Sequence, residues 1–69
     1  MRSNQELPTL IDIPAAAEIL STSVRHVRTL VASRQIPYIK VGHYVRFDLQ
    51  EIRKWIESNH MEEWRWEVR

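Results

Sequence analysis

Two short amphipathic segments, separated by only Ser21, Thr22 and Ser23, constrain this chain more than anything else in it. Neither is long enough to be stable alone, and a break of this length forces them to cross rather than stack end to end. The first begins at Asp12, whose carboxylate can cap a helix from Ile13 to Leu20, with Pro14 in the first turn where its missing N–H does no harm. Ile13, Ala16, Ala17 and Leu20 share one face by three- and four-residue spacing. The two alanines are small, so a second helix can approach closely.

Ser23 is the expected cap of that second helix, Val24 to about Ser33. At 100° per residue Val24, Val27, Leu30 and Val31 collect on one side, with Arg25, Thr29, Ala32 and Ser33 opposite, flanked by Arg28 and His26. Arg34 falls toward the buried side by the same angle, so its stem is expected to pack while its head reaches a phosphate or the helix C-terminus. A capped helix, a three-residue break and a helix offering Arg, His, Thr and Ser outward is a helix-turn-helix pattern, with the second helix destined for a major groove.

After Ile36 and Pro37, β-branched and aromatic residues on both sides of Gly42 predict a hairpin. A three-residue loop of Gly42, His43 and Tyr44 opposes Val41 to Val45 and Ile39 to Phe47; it is preferred over a two-residue loop because it turns four apolar side chains inward. Tyr38, Lys40 and Arg46 would then face outward together as a charged wing. Asp48 and Glu51 have capping-box spacing and predict a third helix from Leu49 to about Ser58, with Leu49, Ile52, Trp55 and Ile56 inward. The expected organisation is a flexible N-terminal arm over 1–10, an α+β winged helix-turn-helix domain over 11–58 and a tail over 59–69. In the tail, Trp64, Trp66 and Val68 alternate with charged residues, which favours a strand. The two tryptophans either cover the core or contact a partner.

Charge points to that partner's chemistry. From Ile19 to Phe47 the chain carries Arg25, Arg28, Arg34, Lys40 and Arg46, with His26 and His43 between them and no Asp or Glu, although the formal net charge is only +1. Such a cluster calls for a polyanion. Arg25 and Arg28 alone would read as solvated charges; the wing and the acid-free stretch turn the reading to double-stranded DNA. With no Cys there is no disulfide or thiolate site, and His26 and His43 have no third ligand nearby, so no metal is expected. No nucleophile with a nearby base and no glycine-rich phosphate loop is visible, so neither catalytic residues nor a cofactor is expected. A polar start and the lack of a roughly 20-residue apolar run predict a cytoplasmic protein that does not enter membranes.

The runs IDIPAAAEIL, STSVRHVRTLV and IPYIKVGHYVRFDLQEIRKWIE, covering Ile11 to Glu57, resemble the small excisionase-type members of the MerR-like winged-helix superfamily. The resemblance implies a winged helix-turn-helix that puts its second helix in the major groove and its wing over a neighbouring minor groove. Carried over, Arg25, His26, Arg28 and Thr29 lie in the recognition helix and Lys40, His43, Tyr44 and Arg46 in the wing; Ser23 and Ser33 complete the candidate set from the helix ends. Thr29 departs from the basic residue that family members often carry there. Excisionase-type proteins are recombination directionality factors that bend phage or mobile-element attachment sites and assist a tyrosine integrase, so the resemblance implies an integrase partner and cooperative self-association on DNA. Trp64 and Trp66 are candidate contacts for either. The chain ends without the long coiled-coil helix of the larger MerR-like dimers, which argues against a metal- or drug-sensing activator. The alternatives are a small transcriptional regulator of the same fold, similar to phage-type activators of integrase genes, and a module whose basic face meets an acidic protein.

Overall fold

The computed structural model describes residues 7–60. In chain order the elements are β1 (Leu10–Ile11), α1 (Ile13–Ile19), α2 (Val24–Ala32), β2 (Ile39–Val41), β3 (Tyr44–Asp48) and α3 (Leu49–Ser58). The strands form an antiparallel sheet in the order β1-β3-β2. Helix-turn-helix, hairpin wing and closing helix together make a winged helix-turn-helix domain.

Each helix starts where an oxygen can satisfy a free backbone donor. The Asp12 carboxylate accepts from the Ala15 N–H, Ser23 Oγ from the His26 N–H and the Asp48 carboxylate from the Gln50 N–H, all at 3.0 Å. Such caps contribute about 1 kcal/mol each. Asp48 accepts from Gln50 rather than from Glu51, so a simple cap stands in place of the expected capping box among the described residues.

The first two helices end in the same way. Beyond α1 the Ser21 N–H donates to the Glu18 carbonyl and the Thr22 N–H to the Ala17 carbonyl; beyond α2 the Arg34 N–H donates to Val31 and the Gln35 N–H to Leu30. These are Schellman closures, which need a left-handed residue just past the helix, and Ser21 (φ 56°) and Arg34 (φ 59°) supply it. Arg34 is therefore outside the helical register and exposed, which corrects its expected place toward the buried side.

The core consists of Ala16, Ala17, Val27, Ile36, Phe47 and Ile52. Phe47, Ile52 and Val27 are its largest fully buried side chains. Ala16 and Ala17 let α1 lie close to both α2 and β3, the tight crossing their small size implied. Ile11, Ile13, Leu20, Val24, Leu30, Val31, Tyr38, Val45 and Trp55 pack around this centre half-buried. Trp55 also ties α3 to the segment after α2, its indole N–H donating to the Gln35 carbonyl at 3.0 Å. On α3, Ile52 and Trp55 face inward as expected, whereas Leu49 and Ile56 lie at its exposed margin.

Two expectations are overturned. Leu10 is not part of a free arm: it pairs with Asp48, Ile11 pairs with Phe47, and the Thr9 carbonyl accepts from the Leu49 N–H at 2.9 Å. The hairpin closes on Gly42 and His43 alone, with Val41 opposite Tyr44, Lys40 opposite Val45 and Ile39 opposite Arg46. Gly42 takes φ 64° and His43 stays at negative φ, the pattern of a type II′ turn, whose twist suits two-residue hairpins. The shift turns every β2 side chain over. Tyr38 packs on the core, while Ile39 and Val41 remain 38% and 46% exposed. The larger aromatic surface wins the inward place, and the exposed pair packs beside Tyr44 and Arg46 instead. The strand expected around Trp64 and Trp66 lies outside the described residues.

Candidate nucleic-acid interface

The outward face of α2 is built by its own periodicity. Ser23, Arg25, His26, Arg28, Thr29 and Ser33 are all exposed, as the sequence pattern required. No acidic residue stands in the first turn, so the positive end of the helix carries no internal counter-charge there. Ser23 Oγ accepts from the His26 N–H and keeps its own hydrogen for an outside acceptor such as a phosphate oxygen.

Thr29 and Ser33 offer the opposite polarity. The Thr29 hydroxyl donates back to the Arg25 carbonyl at 3.1 Å, and the Ser33 hydroxyl to the Thr29 carbonyl at 2.9 Å. Their hydrogens are used within the helix, which leaves lone pairs for base amino groups and the Thr29 methyl for apolar contact. Donors at this face are therefore Arg25, Arg28 and His26, the residue types that read guanine acceptors and phosphates.

The wing is organised differently from the sequence expectation. Tyr44 is 61% exposed, and the Arg46 guanidinium lies over its ring, 5.0 Å from the centroid, while donating to the Val45 carbonyl at 2.8 Å. Arg46 is thus held by a cation–π contact and a backbone bond rather than extended. Ile39 and Val41 share that face; Lys40 lies on the other, so Lys40 and Arg46 do not point outward together. His43 is exposed at the tip beside Gly42.

Among the described residues the ion pair present is Arg53–Glu57, at 3.9 Å on the exposed side of α3. None of the cations between Ile19 and Phe47 pairs with a described carboxylate. An apolar hollow of about 280 Å³ elsewhere is lined by Ile19, Leu49, Ile52 and Ile56 with Gln50 and Arg53.

A family model described as a helix-turn-helix domain matches residues 10–60. The chain belongs to the helix-turn-helix domain family. The match begins at β1 and runs past α3, so it covers the whole wing as well as the two crossing helices. As a helix-turn-helix domain the protein binds DNA. Searches of curated proteins and of solved structures return no significant match. No helix among the described residues is long and apolar enough to cross a membrane.

The candidate residues of α2 named from the sequence, Ser23, Arg25, His26, Arg28, Thr29 and Ser33, are all exposed in the structure. Two placements differ from the expectation. Ile39 and Val41 join Tyr44 and Arg46 on one face of the wing, the outcome of the two-residue loop rather than the preferred three-residue one. Arg34, whose stem was expected to pack, stands exposed at the junction between α2 and the wing.

Proposed function

We propose that this helix-turn-helix protein is an excisionase-type architectural factor: it binds and bends attachment-site DNA of a phage or mobile element so that a tyrosine integrase can excise it, and it does no chemistry itself. What supports the reading most is the exposed, acid-free surface running from Ser23 through α2 and the hairpin, presented by a MerR-like order of elements. In this scheme α2 enters a major groove, with Arg25, His26, Arg28 and Thr29 at base edges and Ser23 on a phosphate. Tyr44, Arg46, His43 and Lys40 take the flanking minor groove and its phosphates. Phosphate contacts supply affinity and a steep salt dependence, while base contacts set the register.

Bending a site by tens of degrees costs on the order of a few kcal/mol, and contacts that only the bent duplex permits must offset it. A wing whose arginine is already locked onto Tyr44 meets the duplex with little further ordering. Adjacent copies on repeated sites would share the deformation cost, and the integrase is the second protein partner in the scheme.

A footprint combined with a circular-permutation bending assay, on DNA from around the integrase gene and attachment site, tests this. Phased, repeated protection within the attachment site, with a clear bend, is the expected result. Protection confined to a promoter with little bend would make the protein a transcriptional regulator instead. No protection at low salt would remove the duplex as its partner.

A further inference from the structure

Arg34 occupies a backbone position that glycine fills at much lower strain. Its φ of 59° closes the end of α2, and the geometry is enforced from both sides. Upstream, the Arg34 and Gln35 N–H groups donate to the Val31 and Leu30 carbonyls at 3.0 and 2.8 Å. Downstream, the Gln35 carbonyl is held by the Trp55 indole and Ile36 is buried in the core. The turn therefore stays left-handed whatever residue sits there, and a side chain with a Cβ is strained by it. Strain of this kind persists where the surrounding structure enforces it, and it clusters at functional sites.

Among the described residues the side chain has no ion-pair or hydrogen-bond partner that would account for it. Arg34 is exposed, and no described carboxylate pairs with it. In the fold it stands between the last turn of α2 and the Ile36–Pro37 step into β2, the junction between the two DNA-facing elements.

We propose that Arg34 is a phosphate-gripping residue, held in a strained left-handed turn so that its guanidinium meets the DNA backbone between the groove entered by α2 and the groove covered by the wing. The proposal rests on the DNA-binding reading and adds a residue that neither the helix face nor the wing includes. It makes Arg34 a site where stability is given up for affinity, and that trade has a distinctive signature.

The test uses the full chain and a labelled 20-base-pair duplex of unrelated sequence, titrated at several salt concentrations, beside thermal melts. Arg34→Gln keeps the strain and removes the charge. It should leave Tm unchanged, weaken binding roughly five- to tenfold near 0.1 M salt and flatten the log K against log salt slope by about one. Arg34→Gly should weaken binding equally while raising Tm by roughly 3–6 °C. Arg34→Lys should keep most of the affinity. Unchanged affinity and slope in Arg34→Gln would overturn the proposal, as would a lowered Tm in Arg34→Gly, which would mean that the arginine serves the C-terminal end of α2. If the wild-type chain showed no salt-dependent binding at all, the DNA-binding reading itself would fall.

Discussion

Ser23 separates folding from recognition more cleanly than any other residue here. Its Oγ accepts from the His26 N–H at 3.0 Å, which leaves its own hydrogen free to donate at the positive end of α2. Ser23→Ala removes the cap, which costs about 1 kcal/mol and lowers Tm by about 4–8 °C in a domain of this size. Lost contact with a phosphate removes a hydrogen bond to an anionic acceptor, worth about 1.5–3 kcal/mol, and adds a drop in affinity of about tenfold or more. Ser23→Asp does the reverse. The carboxylate still caps, and a first turn without an acid gains about 0.3–1 kcal/mol from a negative charge, so Tm holds or rises. Against DNA, the same charge about 5 Å from a phosphate costs roughly 1 kcal/mol in water and several times more where water is excluded, so affinity should fall by about tenfold or more. Circular dichroism melts and anisotropy titrations on one duplex, corrected for the folded fraction, measure both. A Ser23→Asp variant that melts like the wild type and binds as tightly would show that the N-terminal end of α2 does not face the duplex, and the docking scheme would have to be redrawn.

Arg25→Ala and Arg28→Ala should each cost about 1–3 kcal/mol on the specific site and narrow the gap to unrelated sequence, whereas Arg46→Ala should weaken both about equally; competition titrations read the difference. Equal narrowing from all three would contradict separate roles for α2 and the wing. Gly42→Ala meets no atom within 4 Å, so only the φ of 64° resists it, and a loss of about 1 kcal/mol in denaturant unfolding is expected. Phe47→Ala should cost about 3–5 kcal/mol, comparable with the roughly 3–8 kcal/mol total of so small a domain, and should abolish DNA binding by unfolding, visible as a lost cooperative melt.

What was legible in the sequence was local. Asp12, Ser23 and Asp48 mark helix starts because a cap acts within three residues, and the extent of α3 matches its expected Leu49–Ser58 span. The outward set on α2 follows from the angle alone. The hairpin register does not, because it is decided by a contest between Tyr38 and Ile39 for the core, together with a turn that only Gly42 makes easy. β1 is two residues long, shows no alternation, and exists because Phe47 and Asp48 lie beside it in space. Arg34 was misplaced for a related reason: helical angles stop applying once a Schellman closure begins, and sequence leads one to seek glycine there.

The pairing of Ile11 with Phe47 bears on how the protein is made. The two crossing helices leave the ribosome early, but the largest side chain that fills the space beneath them, and the strand that clasps their N-terminal lead, are encoded only with the second strand of the wing. A nascent or truncated chain ending before Phe47 has every residue of α2 and no means of holding it in place. DNA-binding competence should therefore be gained in one late step of synthesis, with no half-finished reader competing for the same sites.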